Sequence, residues 1–175
     1  MEINREQMLE KAEALRIGGF PERAIEVCNQ LIEHSPEMYS AYSERSKSFY
    51  KIGAVDDAFL DLEILLKLRP DIATPFMQMA EWQMTLGKYT KAIENLTTVL
   101  AKNDDYYRDV AVFHRIVAQI ELGNYRGALI DCNALPIGFS FYAKTARGSG
   151  PMLTKEQLID LAQQKNSLEG RSDIS

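Results

Sequence analysis

Four stretches of the chain carry one pattern: Ala24-Ile25-x-x-Cys28-x-x-Leu31-Ile32, Ala58-Phe59-x-x-Leu62-x-x-Leu65-Leu66, Ala92-Ile93-x-x-Leu96-x-x-Val99-Leu100 and Ala128-Leu129-x-x-Cys132-x-x-Leu135. The alanines are separated by 34, 34 and 36 residues. Apolar residues at i, i+1, i+4, i+7 and i+8 form one stripe of an α-helix. A fixed period of this length signals stacked supersecondary units, a solenoid rather than one globular core.

Working outward, each repeat contains a second helical pattern upstream of its alanine. A bulky apolar residue lies sixteen positions before it (Met8, Tyr42, Phe76, Val112), and a glycine lies five positions before it (Gly19, Gly53, Gly87, Gly123). Glycine suits a helix end, where the left-handed conformation is often needed. The downstream helix is expected to start three residues before the alanine, at Pro21, Val55, Tyr89 and Tyr125. Pro36 and Pro70 stand twelve residues past the first two alanines, where proline stops a helix without breaking it. The third repeat has Asp104 at that slot and two additional residues within Asn103–Tyr107, which reads as a lengthened turn or an extra half-turn of helix. The fourth repeat ends early, at Pro136, and has Ile116 where the others place Ala12, Ser46 and Ala80.

These residues together resemble the tetratricopeptide repeat, a helix–turn–helix family, over about residues 4 to 136. The expected fold class is all-α: a right-handed α-solenoid of about four such repeats within residues 1–136 (about 5–38, 39–72, 73–106 and 109–136). The stretch 137–153 is rich in glycine and proline without a helical period and reads as a loop. Thr154-Lys155-Glu156-Gln157 matches a capping box, opening a C-terminal capping helix over 154–166. A terminal helix shields the last repeat of a solenoid from water. Residues 167–175 are polar and read as a disordered tail.

Composition excludes several functions. Of 175 residues 26% are charged and 46% hydrophobic, with a net charge of −5. That balance disfavours a phosphate backbone or an anionic membrane surface as partner. No apolar run approaches a membrane span, and the first residues lack the apolar core of a secretory signal. Cys28 and Cys132 occupy the same slot three repeats apart, too far for a bridge that needs Cα atoms within about 7 Å. They read as buried free thiols, and together with the missing signal they point to a cytoplasmic location.

No catalytic constellation emerges, and no metal or cofactor is expected. The two histidines, His34 and His114, have no second ligand at metal spacing, and there is no Cys-x-x-Cys. The glycine pairs do not follow a strand into a phosphate loop.

The resemblance implies instead that the first helix of each repeat lines a concave groove. Carried over slot by slot, the partner-binding candidates are Glu13, then Glu44, Lys47 and Tyr50, then Met77, Gln78, Glu81 and Met84, then Phe113, His114 and Val117. The groove is thus acidic at one end and apolar at the other, which suits a basic or apolar protein segment. One branch of the family grips acidic chaperone tails with a set of lysine, asparagine and arginine residues. Whether that set is aligned from the first or from the second repeat, the matching slots do not supply those cations, and a carboxylate tail facing Glu13 and Glu44 is repelled by about 1 kcal/mol per close pair.

The implied function is a non-enzymatic protein-interaction module, an adaptor or scaffold. Open alternatives are a dedicated chaperone, an immunity or regulatory inhibitor for one partner, and a self-associating structural protein; monomer and dimer are both compatible. The segment Gly138–Pro151 carries Phe139, Phe141, Tyr142, Lys144 and Arg147 without a carboxylate. It either folds back on the apolar end, with cations near Glu44 or Glu81, or leaves the groove open.

Overall fold

The computed structural model describes residues 4–146 and 148–172. The chain divides into two compact units, Met1–Pro75 and Phe76–Ser175. The first holds α1 (Arg5–Ile17), α2 (Pro21–His34), α3 (Tyr39–Lys51) and α4 (Val55–Leu68). The second takes most of α5 (Thr74–Thr85), then α6 (Tyr89–Ala101), α7 (Arg108–Glu121), α8 (Tyr125–Cys132), strands β1 (Ser140–Thr145) and β2 (Gly148–Thr154), and α9 (Lys155–Ser172).

The repeat slots have a direct structural meaning. Ala24, Ala58, Ala92 and Ala128 are all at 0% exposure, and so are Ala12, Ala80 and Ile116 in the upstream helices. The four glycines adopt φ between 70° and 89°. After each of them the chain closes the same turn. Phe20, Ala54, Lys88 and Asn124 donate their N–H groups to the carbonyls of Leu15, Phe49, Gln83 and Gln119, at 2.8, 3.0, 2.8 and 2.8 Å. The glycine N–H groups reach back to Arg16, Tyr50, Met84 and Ile120. This pair of bonds satisfies helix-end carbonyls, and it needs one residue in the left-handed region, where a side chain would be strained. The downstream helices begin at Pro21, Val55, Tyr89 and Tyr125.

A second repeated device ties helices together inside each unit. In the first, Arg45 of α3 clasps Asp61 of α4 with two hydrogen bonds of 2.9 and 2.7 Å, and its Nη1 donates to Asn29 of α2 at 2.7 Å. In the second, Arg115 of α7 clasps Asp131 of α8 with two bonds of 2.7 Å, and its Nη1 reaches Thr97 of α6 at 3.3 Å. Relative to the repeat alanines, the arginines, aspartates and third partners fall at the same slots. Each arginine therefore joins its own repeat's second helix to that of the preceding repeat. Two parallel N–H···O bonds to a carboxylate fix both distance and angle.

Irregularity concentrates in the second unit. Lys102–Tyr107 is a lengthened turn: Asn103 has φ 53°, and Asp104 Oδ1 accepts from the Tyr106 N–H at 3.0 Å. Helix α8 has only 8 residues, against 13 or 14 in α2, α4 and α6. The loop expected over 137–153 is instead a turn followed by an antiparallel β-hairpin, pairing Ser140 with Thr154, Phe141 with Leu153 and Tyr142 with Met152. The register slips by one between Tyr142 and Lys144, where Ala143 faces Gly150. Pro151 is accommodated beside this slip, since a proline cannot donate to a regular ladder. The capping box forms: Thr154 Oγ1 accepts from the Gln157 N–H at 3.2 Å, and Gln157 Oε1 from the Thr154 N–H at 2.9 Å. Helix α9 runs on to Ser172, past the expected start of a disordered tail at 167. The last three residues and Arg147 lie outside the described residues.

Both thiols are free and buried. Burial, reinforced by the carboxylate of Glu44, pushes the Cys28 thiol up to about 12.

Candidate functional site

In the first unit the expected groove residues come from α1 and α3. Glu13 is exposed, and Lys47 and Tyr50 are half-buried. Glu44 is not available as a free acid. It is 5% exposed, accepts a hydrogen bond from Arg16 Nε, and lies 3.7 Å from Lys47 Nζ. Lys51 Nζ donates to the Arg16 carbonyl at 2.6 Å, so α1 and α3 are laced by their own cations. The acidic end is therefore partly neutralised by the chain itself. His34 lies in the last turn of α2 with Nδ1 2.7 Å from the Gln30 carbonyl, a helix-end contact.

In the second unit Met77, Met84, Phe113, His114 and Val117 are buried, while Gln78 and Glu81 keep partial exposure. The hairpin accounts for much of this on α7. Phe139 and Phe141 stack on one another with centroids 6.4 Å apart, and Phe113 lies 6.0 and 5.8 Å from them. Phe141 also meets the His114 ring edge-on at 5.6 Å. Such offset and edge-to-face pairs are the favoured arrangements of aromatic quadrupoles. Lys144 Nζ donates to Glu81 Oε2 on α5 at 2.6 Å, and the Ala146 N–H donates to the Tyr89 hydroxyl of α6 at 3.1 Å. The base of the hairpin is pinned by Lys155, whose N–H reaches the Phe139 carbonyl at 3.0 Å and whose Nζ reaches the Leu135 carbonyl at 2.7 Å.

Three groups converge at Glu81: Lys144 from β1, His114 from α7 and the carboxylate itself from α5. His114 Nε2 is 3.8 Å from Glu81 Oε1, too long for a hydrogen bond, and neither ring nitrogen has a hydrogen-bonding partner among the described residues. Burial raises the Glu81 carboxyl, but the ammonium of Lys144 and the His114 ring outweigh it and hold it below the ordinary carboxylate value.

The hairpin does not cover the whole of α7. Toward the C-terminal end of that helix, a cavity of about 360 Å³ opens between α7, the hairpin and α9. Its walls include Val117, Ile120, Ala143, Leu153, Leu158 and Leu161, and the polar residues Glu121 and Thr145 also line it. Val117 is one of the groove slots read from sequence, and Ile120 and Glu121 stand beside it on α7. The remaining walls come from the hairpin and α9, whose fold-back the repeat pattern does not encode. Among the described residues there is no group of three or more His, Cys, Asp or Glu side chains placed to hold a metal ion, and no helix is long and apolar enough to cross a membrane.

No protein-family model and no curated protein matches the chain by sequence. Solved structures do match it in shape. The crystal structure of MamA protein aligns with 95% of this chain and 85% of that one, with a TM-score of 0.72 at 16% identity. YrrB, a TPR protein with an unusual peptide-binding site, aligns with 73% of this chain and 64% of that one, with a TM-score of 0.59 at 16% identity. The P58(IPK) TPR domain aligns with 75% of this chain and 40% of that one, with a TM-score of 0.57 at 20% identity. The fold is that of a tetratricopeptide-repeat solenoid. At these identities the likeness carries the fold alone. The β-hairpin and α9 are the elements of this chain that its repeat pattern does not specify.

Proposed function

We propose that this chain is a non-enzymatic protein-interaction module that takes a polypeptide segment on the first helices of its repeats. The observation that carries this reading is the fold: stacked helix pairs present extended side-chain surface and build no preorganised chemical centre. Support comes from YrrB, a protein of the same fold with a peptide-binding site. Glu13, Lys47, Tyr50 and Gln78 keep exposed or half-buried side chains and are the slots with surface to offer. Met77, Met84, Phe113 and His114 are buried and offer a partner no exposed side chain. An adaptor or scaffold role in the cytoplasm fits this reading, with a protein or peptide rather than nucleic acid as partner.

Affinity capture from native lysate tests it, using the full chain and a Glu13→Lys/Lys47→Glu variant. One protein enriched by the wild type and lost with the variant is expected. Enrichment that the variant leaves intact removes these slots from the binding surface. If nothing is enriched above a charge-matched control protein, the interaction reading fails.

A further inference from the structure

We propose that the cavity between α7, the hairpin and α9 is a socket for one apolar side chain of a partner polypeptide that carries a lysine or arginine next to it. This rests on the reading of the chain as an interaction module and names the chemistry of one of its contacts.

The shape argues for a side chain. The cavity's volume of about 360 Å³ lies at the small end of the range of ligand pockets. Its walls include Val117, Ile120, Leu153, Leu158 and Leu161, whose side chains carry no hydrogen-bonding groups. An apolar group loses nothing by leaving water for such walls, whereas a polar one forfeits its hydration. The space is kept open by two small residues on facing strands. Ala143 and Gly150 both line the cavity, and a Cβ built on Gly150 would sit 3.4 Å from the Ala143 Cβ.

The mouth argues for the cation. Glu121 is the last residue of α7 and is exposed, and it makes no ion pair among the described residues. It also stands at the helix end where the backbone dipole is negative, an unfavourable place for a carboxylate without a counter-charge. It is the one ionisable side chain lining this cavity among the described residues. A basic residue beside the inserted side chain gains from both the carboxylate and the helix end, and an acidic one is repelled by both. An apolar anchor that loses its water in a pocket with a charged rim is the arrangement in which a single contact dominates an interface.

The test uses the full chain carrying labelled Ile, Leu and Val methyl groups and three capped pentapeptides: Gly-Ser-Leu-Arg-Gly, Gly-Ser-Leu-Glu-Gly and Gly-Ser-Ser-Arg-Gly. The Leu-Arg peptide is expected to shift the methyl resonances of Val117, Ile120, Leu153, Leu158 and Leu161. The Leu-Glu peptide should bind roughly fivefold more weakly, the scale of an exposed charge pair, and the Ser-Arg peptide should leave those methyls unmoved. Glu121→Lys should invert the preference between the Leu-Arg and Leu-Glu peptides. Leu161→Trp should fill the socket and weaken the Leu-Arg peptide by about tenfold or more. Glu121 is exposed, so its reversal keeps the fold and carries the test even where the tryptophan variant does not.

The proposal is overturned if the Leu-Arg peptide shifts none of these methyls, or if Glu121→Lys leaves the order of the peptides unchanged. It is also overturned if the same methyls shift with protein concentration alone, which makes a second copy the occupant. These titrations need no captured partner, so a failed socket is distinguishable from a failed interaction module.

Discussion

Lys144 and Glu81 lie 63 residues apart in sequence and meet at 2.6 Å, closing the tip of the hairpin onto α5. Both side chains are largely shielded, and Phe141 seals the neighbouring His114 ring. Reversing the charge with Lys144→Glu puts two carboxylates in that space. The hairpin should lose about 1–3 kcal/mol of docking free energy, the scale of an orphaned, partly buried charge. Hydrogen exchange of the 139–154 amides should accelerate while the α1–α4 amides keep their protection. Unchanged exchange in the hairpin would show that the aromatic stack alone holds it.

The same contact gives a pH dependence of definite sign. Glu81 is held below its ordinary value, 4.5, by Lys144 and His114 against the pull of burial. A carboxyl with a depressed folded-state pKa stabilises fully above its unfolded value, and that contribution is lost as pH falls through the lower folded value. The wild type should therefore exceed Lys144→Met in urea stability at neutral pH, and the gap should shrink below 4.5. A gap that stays constant down to a pH of about 3 would assign the difference to packing of the lysine stem.

The repeat alanines are close-approach points, which makes them sensitive to added volume. Ala92 is fully buried in α6, while Ala101 at the end of the same helix is exposed. Ala92→Leu should cost about 1–3 kcal/mol by overpacking, and Ala101→Leu should fall within about 0.5 kcal/mol of wild type. Equal effects in chemical denaturation would contradict the packing role of the slot.

How far the sequence can be read follows from where its signals are local. The helix starts at Pro21, Val55, Tyr89 and Tyr125 and the left-handed glycines were legible because cap and turn chemistry acts over a few residues. The hairpin was not. Ser140–Thr145 lacks a clean alternation, Gly148–Pro151 reads as turn, and two strands alone are marginal in water. What stabilises them is Phe113, Glu81 and Tyr89, residues distant in the chain. For the same reason Met84 and Phe113, read as groove floor, lie fully buried. The arginine clasps were visible in principle, since Arg45 with Asp61 and Arg115 with Asp131 recur at fixed offsets from the alanines. Two copies among four repeats gave too sparse a pattern to separate from the many solvated charges.

Those clasps supply a prediction of their own. Asp131 accepts from Arg115 and also from Gln119 Nε2 at 2.9 Å, within a largely buried setting. Arg115→Met leaves the carboxylate without its cation and should destabilise the second unit by about 2–4 kcal/mol. Pairing it with Asp131→Leu should recover a large part of that loss, because removing both charges also removes the need to compensate either. A double variant as unstable as the single one would mean that the arginine acts through its stem packing.

Helix α9 also fixes the number of repeats. In a stacked array the second helix of one unit receives the first helix of the next, yet here α8 receives α9, with Leu158 and Ala162 fully buried. A further repeat inserted after Cys132 would have to evict α9 and strip the hairpin from Phe113. Lengthening by duplication is therefore blocked at this end, and any change in copy number has to arise upstream of α7.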